Sequence, residues 1–434
     1  MADADAAPQG PSRVSRSLRA FKNRDFRLFL GGQLVSLAGT WMQTVAQSWL
    51  VYRLTGSSLL LGATAFCSQI PVMLLSPLGG FAADRFSRRK VVLVCQTASM
   101  LLAGLLAGLT LSDQVRIEHV FVLAACLGVV NAFDIPARQA FIVDMVGRKD
   151  LINAIALNSS MFNSARIIGP AVAGVLVTAV GEGWCFLGNS LSYLAVIGGL
   201  LVMTTREGRR RDTGATPLQN IKEGLAFVRD TKPVRSLLIL LGLTSLLGMP
   251  YAVLMPIFAD RVLGAGAHGL GLLMASSGTG ALVGALFLAG RSDTQGLGKL
   301  IAGCSMLFGA CLVLFSLSRT FWVSAILLVP AGFCMMIHMG ATNTLIQSMT
   351  PDGLRGRVMA FYSMVFMGMA PFGSLIAGAC ADSLGAPVTV ALCGTACVAA
   401  GSFFASALPG LRPEARRLIL AQEAALPPES GPAV

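Results

Sequence analysis

Apolar segments recur along this chain from residue 27 to residue 408, and each matches the roughly 20 residues that an α-helix needs to cross the hydrocarbon core of a bilayer. No water reaches stray N–H and C=O groups there, so such segments must fold as helices that satisfy their own backbone. Only 12% of the 434 residues are charged, about half the share of a soluble domain. The expected fold is an all-α membrane protein with twelve transmembrane helices. The spans read from hydropathy are 27–52, 58–82, 91–111, 119–138, 153–179, 184–204, 235–259, 269–290, 299–318, 321–346, 357–381 and 386–408.

An even number of spans returns both termini to one side. With the termini inside, the inner segments carry 28 of the 33 Lys and Arg residues and the outer loops carry 4, the asymmetry expected of cytoplasmic against external loops. Both termini are therefore expected in the cytoplasm. The net charge of +12 then reflects topology and not a nucleic-acid partner. Residues 1–26 are polar and basic and run directly into the first full-length span, so no cleaved leader is expected. The one basic residue that topology leaves over is Arg166, about 17 to 20 Å from either end of the fifth span at 1.5 Å per residue.

The longest polar break, 205–234, divides the chain into halves 27–204 and 235–408, with tails at 1–26 and 409–434. Within the break, PLQNIKEGLAFV has the spacing of a short amphipathic surface helix. The stretch FIVDMVGRKDLINA (141–154) resembles LIQSMTPDGLRGRV (345–358), and GGFAADRFSRRKVV (79–92) aligns weakly with LAGRSDTQGLGKLI (288–301). Two six-helix pseudo-repeats are the pattern of a secondary transporter with parallel halves. Of the ten cysteines, eight lie inside spans and Cys185 and Cys380 near span ends; they read as small packing residues.

Gly80-Phe-Ala-Ala-Asp84-Arg85-Phe-Ser87-Arg88-Arg89-Lys90, between the second and third spans, resembles the loop signature of the major facilitator superfamily, with Ser87 in place of a glycine. A glycine permits close helix approach, and an acid favours a helix N-terminus. The resemblance implies a conformational latch of Gly80, Asp84, Arg85 and Arg88 against the eleventh span, with Asp134 matching the acid at the end of the fourth span that the arginine reaches. A basic topology loop is the plainer alternative. Residues 21–62, 131–146 and the stretch through Gly174 are similar to the bacterial branch that includes the enterobactin exporter, over roughly residues 20 to 408. RIIGPAVAG (166–174) partly matches the antiporter motif of the fifth span through Gly169, Pro170 and Gly174, which would bend the helix.

Polar residues in a span should face protein or a water-filled cavity. Gln33, Ser36, Thr40, Gln43 and Gln47 share one face of the first span, as Ser159, Asn163 and Arg166 do in the fifth. Asn131, Asp134 and Arg138 mark the fourth span; His338, Thr342, Asn343 and Gln347 mark the tenth. In the resembled fold, spans one, four, seven and ten line the cavity, so the expected substrate contacts are Arg166, Asn163, Thr40, Gln43, Gln47, Asn131, Tyr251, His338 and Asn343. Helix-to-helix bonding is the competing reading for each polar residue. Trp41, Trp49 and Tyr52 read as packing or interfacial belt.

Asp134 and His338 are the expected proton carriers, since no acid stands at mid-depth in the spans as drawn and histidine changes charge near neutral pH. The Met and Cys residues around His338 form no second cluster, so no metal is expected. Gly-Leu-Gly-Lys299 lacks the glycine and hydroxyl of a phosphate-binding loop, and Ser87 with Lys90 belongs to the loop motif, so neither an enzyme nor a cofactor is expected. The resemblance implies a monomeric exporter of a small amphipathic or anionic molecule, a siderophore or drug-like compound, exchanged for protons by alternating access. Lipid or lysophospholipid transport and a transport-inactive sensor or scaffold are the alternatives. Arg166 would either hold substrate or hold its helix in place.

Overall fold

A computed structural model of the chain describes residues 23–204, 217–291 and 293–425. Most of the expected tail 1–26, part of the linker 205–234 and the end of the tail 409–434 lie outside the described residues. Among those described there are thirteen helices: α1 (Arg24–Thr55), α2 (Ser58–Arg85), α3 (Arg88–Leu111), α4 (Ile117–Gly147), α5 (Asn153–Val180), α6 (Glu182–Val202), α7 (Pro217–Asp230), α8 (Lys232–Val262), α9 (Gly266–Ala289), α10 (Leu297–Leu317), α11 (Phe321–Met349), α12 (Asp352–Leu384) and α13 (Ala386–Ala425). Eleven are long and apolar enough to cross a membrane. The twelfth long helix, α1, has the length, with 32 residues, but its Gln, Ser and Thr residues keep its hydropathy low. It packs along α4, α5 and α6 among the other spans.

Local chemistry sets the helix ends. The Asn23 side chain accepts from the amides of Asp25 and Phe26 at the start of α1, and Gly56, at φ 61°, ends it, as an asparagine N-cap and a left-handed glycine do elsewhere. Ser57 and Ser87 cap α2 and α3 in the same way. In α8, Pro250 and Pro256 cannot donate, and the bonding register slips into π turns at Thr244–Gly248 and Phe258–Val262 with a 3₁₀ turn at Met249–Ala252, as broken ladders do at prolines.

Two helices outrun their hydropathy. α4 continues to Gly147, whose φ of 68° breaks the helix, although the fourth span as drawn stops at Arg138. α13 continues through Pro409 and Pro413 to Ala425. Its extension is amphipathic: Leu411, Ala415, Leu418 and Ile419 pack against the core while Arg412, Arg416 and Arg417 stay exposed. The short helix α7 lies against α12, where Glu223 pairs with Arg357 and Gly224 meets the Phe361 ring.

The first six long helices pack on one another, as do the last six, and the two halves meet along α5 with α9 and α2 with α12. Small residues make these seams. A Cβ on Gly271 would stand 2.4 Å from the Pro170 carbonyl oxygen, and one on Gly62 2.3 Å from that of Ser374, so no larger side chain fits between the backbones. Toward the face opposite the termini, side chains finish the closure. Tyr52 donates to Asp260 (2.6 Å), and Arg261 donates to the Gly56 carbonyl (3.2 Å). Asp382 of α12 accepts from the Ser57 hydroxyl and the amides of Ser58 (2.7 Å) and Leu59 (3.3 Å). An acid of one half thus caps a helix of the other. Replacing Asp382 with alanine should speed hydrogen exchange at the Ser58 and Leu59 amides about ten-fold or more, the equivalent of losing a charged hydrogen bond of about 1.5 to 3 kcal/mol. Mass spectrometry of the exchanged protein measures this directly, and unchanged exchange would show that the seam closes without the acid.

Candidate translocation site

Arg166 stands on α5 one turn before Gly169 and Pro170, where three helices come within backbone contact. A Cβ on Gly169 would lie 2.5 Å from that of Trp41 on α1, and one on Gly278 of α9 would lie 2.9 Å from the Arg166 carbonyl oxygen. Gly174 presses on α9 at the His268 carbonyl and Gly271. The bend motif therefore joins α1, α5 and α9 beside Arg166. The Arg166 guanidinium lies 5.7 Å from the centroid of the Trp41 ring, which Phe162 meets edge-on at 5.8 Å. Arg166 is half-buried, and among the described residues its side chain has no hydrogen bond or ion pair. A guanidinium with five donors and one aromatic face for company suits a carboxylate or another planar anion.

Most of the other expected contacts point elsewhere. The polar face of α1 is turned into the first half and away from the seam. Gln43 accepts from Asn189 of α6 at 2.6 Å, and Thr40 donates to the Ser36 carbonyl beside the Tyr193 hydroxyl. Gln43 thus bonds to a neighbouring helix, while Thr40 bonds within its own. Gln47 and Asn131 are half-buried. Asn163 is buried and donates within its own helix to Ser159 (2.8 Å). Tyr251 is buried in the second half, its hydroxyl 2.8 Å from that of Ser277 and its ring against Phe308. Asn343 accepts from Gln347 one turn away. His338 is 0% exposed and lies beside the Ile301 backbone of α10. Among the described residues neither of its ring nitrogens has a hydrogen-bond partner.

Asp134 is also enclosed, 4% exposed, but it has partners. Its carboxylate accepts from Gln96 of α3 (3.0 Å) and faces Arg138 one turn on (3.3 Å), whose guanidinium donates to Gln33 of α1 (3.2 Å). Gln33 Nε2 and Gln96 Oε1 remain without partners. Gln33, Gln96 and Arg138 escape recognition as a site in the sequence because they lie on three separate helices.

A family model described as "transmembrane secretion effector" matches residues 15–427. The chain belongs to this family of major facilitator transporters. It is 24% identical over 382 residues to the staphyloferrin A transporter of Staphylococcus aureus, covering 87% of this chain and 95% of the relative. It is 27% identical over 372 residues to the multidrug efflux pump Tap of Mycolicibacterium fortuitum, covering 83% and 90%. Among solved structures it superposes on the nucleoside transporter NupG at TM-score 0.71 and 12% identity, covering 88% of this chain and 98% of that one. A bacterial homologue of the human lysosomal transporter Spinster, inward-facing and occupied, matches at 0.68 and 15%, covering 92% and 98%. These two likenesses establish the fold.

In this family member the loop motif differs from its expected arrangement. Arg88 pairs with Asp144 (2.8 Å) and donates to the Ala140 carbonyl, so Asp144 takes the place expected of Asp134. The physical reason is the length of α4: it carries Asp144 to the helix end, while Asp134 stays in the core. The helix-breaking Gly147 is the sequence signal for this. Gly80 has nothing within 4 Å of its Cβ position, and it is the neighbouring Gly79 that lies on the Ala132 carbonyl of α4. Asp84 is 67% exposed with Arg88 at 3.8 Å, and Arg85 sits over Phe81. Among the described residues Asp84 therefore has no partner on α12. In the second repeat Ser348 aligns with Asp144, so the acid has no counterpart there. Removing Asp134 would strand the Arg138 charge, at a cost of about 3 to 5 kcal/mol. Asp134→Ala should therefore lower the melting temperature in detergent, and Asp134→Leu with Arg138→Met should recover most of the loss; equal losses in both variants would rule out a buried charge as the cause.

Proposed function

We propose that this protein exports a small amphipathic anion, of siderophore or drug-like character, from the cytoplasm by rocking one half against the other in exchange for protons. The observation that carries this reading is the one-sided seam. The halves are joined at the face opposite the termini, whereas among the described residues Gly80 has open space beside it and Asp84 is paired only with Arg88 of its own half at the other face, and the unpaired Arg166 lies between. The excess of Lys and Arg in the segments on the terminal side supports a cytoplasmic position for that face in a bacterial inner membrane, which makes this conformation inward-open. The name of one relative, a multidrug efflux pump, supports outward movement. Engagement of Asp84 and Gly80 with α12, and of Arg88 with Asp144, would latch the opposite state.

Proton coupling would act through the Asp134–Arg138 pair. His338 has no part in this scheme.

The test is flux in proteoliposomes under an imposed pH step, with a carboxylate siderophore and a cationic dye followed in parallel. Arg166→Ala should abolish movement of the anion and Arg166→Lys should keep a fraction of it, since Lys retains the charge but not the planar fork. Full flux in the alanine variant would remove Arg166 from the substrate path, and no movement of either compound under either polarity of the step would refute proton exchange for both.

A further inference from the structure

Between α2, α3 and α4 a groove of about 730 Å³ opens on the outer wall of the first half, away from the seam. Its walls are apolar: Val91, Val94 and Ala98 on α3 face Val129 and Phe133 on α4. At the terminal end it is bounded by Phe86, Ser87 and Lys90. Val94 is 67% exposed and Phe86 58%, an exposure that would be costly in water and is ordinary against lipid chains.

The basic residues at this end are not equivalent. Arg88 is taken by Asp144. Arg89 donates to the carbonyls of Leu200 (2.7 Å) and Leu201 (3.1 Å). Arg85 lies over the Phe81 ring. Lys90 is exposed, and among the described residues its ammonium group has no acceptor. It stands in the first turn of a 24-residue helix, where the partial positive charge of the helix end adds to its own. An apolar slot therefore ends in a cation with no counter-charge among the described residues, at the level where lipid headgroups lie if the terminal face borders the membrane surface.

We propose that this groove binds one phospholipid with an anionic headgroup, its phosphate on Lys90 and one acyl chain along Val94, Ala98 and Phe133. Charge complementarity selects the lipid class, because a zwitterionic headgroup adds a cation next to Lys90 and an anionic one does not. The bound lipid would sit on the outer side of the loop that carries Asp84 and Arg88, so the lipid composition could bias the latch without reaching the substrate path. The site is independent of the transported compound and of the direction of transport.

Native mass spectrometry of the full chain, released from detergent with phosphatidylglycerol or phosphatidylcholine of identical acyl chains, tests the assignment. The wild type should retain phosphatidylglycerol over phosphatidylcholine, and Lys90→Ala should cut that excess about five-fold, the equivalent of one lysine near a charged lipid surface. Val94→Trp, which fills the slot and keeps the charge, should reduce retention of both lipids; Val129→Trp repeats the obstruction from the facing helix should the first variant not fold. Glycerol phosphate, the headgroup chemistry without chains, should fail to displace the lipid. Equal retention of the two lipids by the wild type, or an undiminished excess in Lys90→Ala, would overturn the proposal, as would displacement by glycerol phosphate alone.

Discussion

Everything that distinguishes this molecule from a bundle of apolar rods depends on how closely its two halves can approach. Lipid gives helices no hydrophobic reason to associate, so association rests on close van der Waals contact and on polar bonds. Gly62 against Ser374 and Gly271 against Pro170 bring backbones together on one side of the molecule. Only there can Asp382 reach the start of α2 and Tyr52 reach Asp260. These contacts lie along two helix pairs, α5 with α9 and α2 with α12. The same crossing sets Arg166 beside Trp41.

Polar side chains within the spans serve two ends that residue type does not separate. Gln43 with Asn189 and Gln33 with Arg138 hold helices of one half together, where an unmet polar group would cost several kcal/mol in hydrocarbon. Arg166 is different in kind: it is half-buried and has only an aromatic face beside it. The Asp134 network lies between these extremes, since it is bonded across three helices yet keeps an orphan donor on Gln33 and an orphan acceptor on Gln96. A partly satisfied buried network is poorly suited to structure alone, which is why the proposed proton exchange is assigned to it.

The loop between α2 and α3 shows how a short motif divides its labour. Arg88 and Arg89 are anchored to α4 and α6, Asp84 is exposed beside Arg88, and Lys90 faces outward to the proposed lipid. One cluster of cations, which composition presents as a single topological signal, thus has members turned toward the core, the seam and the membrane.

The sequence by itself determined the class and number of the long helices, their alternation, and the single misplaced charge, because hydrophobic length and charge balance act locally along the chain. It also set the helix ends at Asn23, Ser57 and Gly56 through side chains adjacent to the backbone they cap. It did not determine where α4 stops, since the charge of Arg138 imitates a membrane boundary while Gln33 and Asp134 neutralise it inside the bundle. Nor did it determine which way the polar face of α1 turns: helical periodicity puts Gln43 and Thr40 on one side, but a bundle interior and a substrate cavity are both tolerant of polar atoms. Only the tertiary structure decided that this face meets α6, that Asp144 and not Asp134 holds Arg88, and that His338 is sealed among helices. Each of those outcomes depends on residues brought together from distant parts of the chain, and no local pattern carries that distance.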